Sequence, residues 1–348
     1  MALLARHSWP KQPKTREEKM VSKFHSLIRF AAAVAITVSA GLAATSAVRS
    51  EDYPNRDITF IVPFNPGGGT DPISRFYCAE LEKVLNVNIN VINKPGGSGS
   101  IGIGQIVKSP ADGYTIGIAT NSALAYQPFI NDGLAWKSPD DYQPIIKLDD
   151  LPAILAVRAD APWKTFEDFM ADVKKNPGKI RLSNSGVGTL PDLLIQQLDK
   201  NAGTRIASVP FTGGSGEAMV ALLGGRVEGY IGYGAAVVGQ LNAGKVKILA
   251  HFQKGKLEYF PEAESVIDAG YDVSLRTANY VVAPKGLPDD VKNKLAEASK
   301  QVVMSDAFLD FLKKQGFLRD AKGPDEVKAE LVQYGKDFSD LIQFIGKE

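Results

Sequence analysis

The sequence predicts an α/β protein of two lobes with a ligand cleft between them. Three observations carry this expectation. Strand-length apolar runs alternate with stretches of helical period along most of the chain, the pattern of mostly parallel sheets covered by helices. The alternation runs down near residue 158 and then restarts, so there are two such blocks. Four strand-like runs end in glycine turns, at residues 66–69, 95–99, 186–188 and 213–216, two in each block. Ligands of open α/β sheets lie beyond the carboxyl ends of strands.

The first 47 residues read as an export leader. They hold seven Lys/Arg and two acids, and Lys23 and Arg29 flank the uncharged run FAAAVAITVSAGLAA at 30–44. Thr45-Ser46-Ala47 supplies small residues for cleavage. Residues 1–19 are polar, which points to Met20 as the true start. A membrane anchor is the competing reading, but the run is short and rich in Ala, Gly, Ser and Thr. The expected location is therefore periplasmic. Without the leader the chain has 33 basic and 37 acidic residues, about −4, a balance that argues against nucleic-acid binding. Its single cysteine, Cys78, allows no internal disulfide.

The first block opens with ITFIV at 58–62, a run with strand character on both faces. The turn PGGG at 66–69 follows, then a helix over 72–85, with Thr70 or Asp71 as its cap and Pro72 at its first position. A strand is expected at 87–92, a helix at 101–108 and a strand at 114–120 that ends in Thr120-Asn121-Ser122. Two extended pieces span 145–157 around Asp149-Asp150-Leu151-Pro152, and the first crossing between lobes is placed there. The second block holds a helix at 165–175, strands at 180–183, 206–211, 227–232 and 246–252, and helices at 191–201 and 217–223. The extended run SLRTANYVVA at 274–283 is the return crossing. Helices follow at 287–305, at 306–315 with Asp306 as cap, and at 325–345. The leader is thus 1–47, the first lobe 48–153, the second lobe 154–273, and the first lobe resumes over 274–348.

Reactive chemistry is scarce. Gly97-x-Gly99-x-x-Gly102 has the spacing of a dinucleotide turn, but no acid ends the next strand to hold a ribose. There is no Gly-Lys-Ser/Thr phosphate loop and no Gly-x-Ser-x-Gly nucleophile turn. The histidines are His7, His25 and His251, so beyond the leader there is one imidazole, which removes multi-histidine metal sites. No cofactor and no metal are expected. What remains is a set of helix starts after glycine turns, whose free N–H groups favour an anion. Asp71 reads as a cap or as an acceptor for a ligand hydroxyl or amine. Arg158 and Arg276, near the crossings, are candidates for a ligand carboxylate or plain surface charges. Tyr233, Tyr280 and Phe64 are candidates for the cleft wall or for the core.

Six stretches, in this order and spacing, resemble the substrate-binding proteins of tripartite tricarboxylate transporters, the TctC-like or Bug family. They are ITFIVPFNPGGGTDPISR (58–75), INKPGGSGSIG (92–102), ADGYTIGIATNS (111–122), NPGKIRLSNSGVGT (176–189), VPFTGGSGEAMVALLGGRVEGYIG (209–232) and VVAPKGLP (281–288). The resemblance implies a two-lobed periplasmic receptor of the type II topology that closes on a small carboxylate and delivers it to a membrane permease of one large and one small subunit; the receptor is expected to be a monomer. It implies a carboxylate held mostly by loop amides, often through water. Carried over, it points to Phe64, Gly68, Gly69, Thr70, Asp71, Thr120, Asn121, Ser122, Ser185, Gly188, Thr189, Phe211, Gly213 and Gly214, with Tyr233 added as an aromatic wall. Three places depart from the family pattern. Leu190-Pro191-Asp192 stands where many relatives have a histidine pair, Phe211 where a tyrosine is common, and Gly232-Tyr233 where an aspartate often follows the strand. The aromatic departures suggest an aromatic or less polar acid. An exported hydrolase working through His251, or a sensor ectodomain, is the alternative use of the same cleft.

Overall fold

The computed structural model describes residues 53–273 and 275–346. The leader lies outside the described residues. The strands are β1 (Ile58–Val62), β2 (Ile89–Asn93), β3 (Thr115–Thr120), β4 (Tyr142–Leu151), β5 (Ala153–Arg158), β6 (Arg181–Asn184), β7 (Ala207–Pro210), β8 (Gly229–Tyr233), β9 (Val246–His251), β10 (Glu264–Ser265) and β11 (Thr277–Pro284). They form two sheets, ordered β2-β1-β3-β11-β4 and β10-β9-β5-β8-β6-β7. Apart from the short β10, the orders match. In each, one strand next to a crossing runs against its neighbours: β11 between β3 and β4, and β5 between β8 and β9. This is the two-lobed type II topology expected from the sequence. Only Pro152 separates β4 from β5, so the chain changes sheet there, and it returns at Thr277.

The helices are α1 (Thr70–Leu85), α2 (Ser100–Lys108), α3 (Gln127–Ile130), α4 (Phe166–Lys175), α5 (Leu190–Ala202), α6 (Ser215–Leu223), α7 (Gly234–Asn242), α8 (Asp289–Met304), α9 (Asp306–Gln315) and α10 (Pro324–Ile345). A π-helical turn, Ser122–Tyr126, precedes α3. Helix periodicity is satisfied by burial: α1 turns Ile73, Tyr77, Leu81 and Leu85 inward, each four residues from the last. Helix α4 is preceded by Thr165, which forms a reciprocal cap with Asp168.

Two local expectations are corrected and one helix is added. Helix α1 begins at Thr70 with Gly69 before it, so Thr70 and Asp71 are inside the first turn and Pro72 is its third residue. The cap of α9 is Ser305, whose hydroxyl accepts from the Phe308 N–H, and not Asp306. Helix α7 was not anticipated. Its sequence, GAAVVGQLN, has no side-chain cap and little amphipathic contrast, so only its packing distinguishes it from a loop.

Within the first lobe, the C-terminal segment is tied to β4 by a buried charge cluster. Lys147, buried on β4, places its ammonium 2.7 Å from Asp150, 2.6 Å from Asp320 and 2.7 Å from Glu330. The three acids lie close enough to suggest a cation site, but the lysine fills it. Opposite charges repay burial only when such contacts are complete.

Candidate functional site

A narrow cavity lies between the two sheets, lined by Phe64, Gly68, Gly69, Thr70, Thr120, Ser122, Ser185, Thr189, Ser215 and Tyr233. The first six residues end or follow β1 and β3 of the first sheet; the last four end or follow β6, β7 and β8 of the second. Four helical starts meet there: Thr70 opens α1, Ser122 opens the π-helical turn, Thr189 precedes α5, and Ser215 opens α6. The first N–H groups of a helix lie outside its own hydrogen-bond ladder and carry the positive end of its dipole. No lining residue is ionisable near neutral pH.

The amides are not equally available. Those of Gly68, Gly69 and Thr70 make no backbone hydrogen bond among the described residues. The Thr70 hydroxyl is buried without a partner among the described residues. Thr120 and Ser122 share a hydroxyl contact of 3.3 Å, and the Thr120 oxygen also accepts from Ala123 N–H. One hydroxyl proton of that pair is therefore free for a ligand. Across the cleft, Ser185 donates to Thr189 at 3.1 Å and Thr189 donates to the Gly186 carbonyl at 2.7 Å.

Nine of the fifteen residues singled out from sequence line the cavity: Phe64, Gly68, Gly69, Thr70, Thr120, Ser122, Ser185, Thr189 and Tyr233. Six do not, because each has a structural task. The Asp71 carboxylate accepts from the Gly67 N–H, Asn93 and Arg75, which ties the glycine turn to β2 and α1. The Asn121 side chain accepts from Ser122 N–H and donates to the Arg276 carbonyl. Gly188 N–H donates to Asp192 and Gly213 N–H to Glu217. Gly214 N–H donates to the Phe211 carbonyl, and Phe211 N–H to the Asn184 carbonyl. The glycine turn at 95–99 does not line the cavity either; a Cβ on Gly99 would meet the Phe64 ring at 3.2 Å.

Ser215 was missed. The helix expected from Glu217 starts two residues earlier, and that puts the serine hydroxyl at the cavity. Arg158 pairs with Asp160 and Arg276 is exposed; neither lines the cavity. Tyr280 is buried in the first-lobe core. His251 is fully buried on β9, and neither ring nitrogen has a partner among the described residues.

Loops of the two lobes touch around the cavity. Asn65 N–H donates to the Gly213 carbonyl at 2.9 Å, and the Gln127 amide to the Val187 carbonyl at 3.1 Å. A Cβ on Gly216 would stand 2.9 Å from the Pro66 carbonyl oxygen. The lobes are thus closed on each other. At the back of the cavity the Tyr233 hydroxyl meets Thr277 at 2.6 Å, joining the end of β8 to the start of β11. Burial holds this phenol well above its ordinary pKa, against the pull of the Thr277 hydrogen bond, so it is neutral.

Comparisons with known proteins agree with this geometry. Residues 73–336 match the tripartite tricarboxylate transporter family receptor, TctC. A UPF0065 protein of Agrobacterium vitis is 31% identical over 291 residues, covering 82% of this chain and 81% of that protein. The structure of the periplasmic binding protein BugD superposes with a TM-score of 0.81 at 26% identity, covering 85% of this chain and 99% of that one. An R. palustris structure with adipate shares the fold, with a TM-score of 0.81 at 24% identity over 85% of this chain and 99% of its own. On the strength of a family match over most of its length and of this shared architecture, the chain belongs to the TctC family of tripartite tricarboxylate transporter receptors.

Proposed function

We propose that this protein is a periplasmic receptor that captures a small carboxylate by lobe closure and hands it to a tripartite tricarboxylate-type permease of one large and one small subunit. The observation that carries the reading is the meeting of four helical starts, two from each lobe, at one cavity with no cationic side chain. An anion bridging both lobes gains contacts from the second lobe only when the cleft is shut. Ligand therefore shifts the open–closed equilibrium toward the closed form, which is the form a permease can read. The adipate held by the R. palustris neighbour is consistent with a carboxylate cargo. A hydrolase needs a nucleophile and a base at the substrate; the ten lining residues include no histidine, cysteine or carboxylate, which supports a receptor.

The site residues we assign are the nine that line the cavity and were expected, together with Ser215. The Gly68–Thr70 amides and the Thr70 hydroxyl grip the carboxylate, while Phe64 and Tyr233 wall its carbon skeleton. The test is a thermal-shift screen of purified protein, freed of co-purified ligand by unfolding and refolding, against mono-, di- and tricarboxylates and aromatic acids. A ligand at 100 times its Kd adds about 2.7 kcal/mol. A panel in which no acid stabilises the refolded protein would overturn the reading.

A further inference from the structure

Building on the small-carboxylate reading above, we infer that the cavity selects acids with one carboxylate and an uncharged tail over dicarboxylates of the same length, because the second lobe's helical starts already hold carboxylates of their own. The asymmetry lies in the first turns. In the second lobe, Asp192 is the third residue of α5. Its two oxygens accept from Gly188 N–H at 2.9 Å, the Ser208 hydroxyl at 2.7 Å, and the Asn184 and Gln196 amides at 3.3 Å each. Four donors converging on one carboxyl group is the pattern of an ionised acceptor. Glu217 is the third residue of α6, and it accepts from Gly213 N–H at 3.1 Å. Both helix dipoles on that side are thus offset from within.

The first lobe differs. The acid in the first turn of α1, Asp71, is paired with the Arg75 guanidinium at 3.0 Å, and the π-helical turn is capped by Asn121, a neutral amide. The uncommitted Gly68–Thr70 amides and the buried, unpartnered Thr70 hydroxyl are also on this side. One carboxylate therefore has a favourable place against the first lobe. A second one, reaching Thr189, Ser215 and Tyr233, would meet hydroxyls and a neutral ring with two acids one turn behind them.

The experiment is calorimetric titration of purified protein with chain-matched probes: butyrate and succinate, 3-hydroxybutyrate and malate, hexanoate and adipate. In the pair that binds, the monocarboxylate is expected to bind about tenfold more tightly. Glu217→Gln, an exposed change that leaves the fold intact, and Asp192→Asn, which tests the buried acid, should each shift the ratio several-fold toward the dicarboxylate. A dicarboxylate that binds as tightly as its partner or tighter overturns the inference and leaves the carboxylate receptor standing. So does a ratio that Glu217→Gln leaves unmoved. Absence of binding by every acid overturns both.

Discussion

Replacing Gly216 with alanine separates closure from folding. Gly216 is the second residue of α6 and does not line the cavity. Its backbone is helical, and alanine is favoured over glycine in a helix by up to about 1 kcal/mol. In the second lobe alone the substitution is therefore neutral or stabilising. The added methyl, however, would stand 2.9 Å from the Pro66 carbonyl oxygen and 3.5 Å from the Gly67 carbonyl carbon, both backbone atoms of the first lobe. Backbone on both sides leaves no flexible group to give way. Overpacking of this kind costs about 1–3 kcal/mol, and here the cost falls on the closed form alone. Ligand affinity should drop about 5- to 150-fold, with the whole loss in the open–closed equilibrium. The assay is titration of the best acid from the screen, alongside urea denaturation of the ligand-free protein. Weaker binding with unchanged or raised stability is the expected pair of results. Affinity within twofold of the parent would refute the idea that these loops must meet for ligand to be held.

Two further substitutions probe the interior. Thr70→Val keeps the shape of the side chain but removes a buried hydroxyl with no protein partner; it should weaken acid binding by about 1 kcal/mol, roughly fivefold, without lowering stability, as calorimetry and denaturation would show. His251 is buried, and that burial holds its ring below the ordinary value of 6.5, against a weaker opposing pull from Asp268. The unfolded chain then binds the proton more readily, so this contribution is intact above about pH 6.5 and is lost as pH falls below it toward the folded pKa. His251→Leu should flatten the dependence of unfolding free energy on pH between about 7.5 and 5.5; an unchanged slope would mean that the ring is solvated.

The strands and glycine turns were legible because their signals are local. A run such as ITFIV is short, β-branched and closed by proline and glycines, which reads as buried strand, and PGGG followed by Thr-Asp before an apolar helical period marks a helix start. The order of motifs carried the two-lobed topology. What sequence does not carry is which polar groups are already spent. Gly188 and Gly213 resemble Gly68 and Gly69 as letters, yet Asp192 and Glu217 take up the first pair's N–H groups while the second pair's stay open. Those acids were four residues downstream in plain view, but only the helix start puts the carboxylate back over the turn. Asp71 shows the same limit: a charge beside a glycine cluster suggests a ligand contact, and three protein donors claim it instead. Ser215 was lost through a two-residue error at a helix boundary, where local signals are weakest.

The place of β11 has a consequence for how the chain comes together. That strand lies between β3 and β4, yet it is made of residues 277–284, more than 120 residues after β4 ends. Until it has been synthesised, β3 and β4 have no strand to join them, and Lys147 must wait longer still for Asp320 and Glu330. The second lobe, by contrast, draws all its strands from one uninterrupted stretch, 153–265. Assembly should be ordered accordingly, with the inserted lobe maturing first and the lobe that contains the beginning of the fold finishing last, at the pace of its most distant pairing.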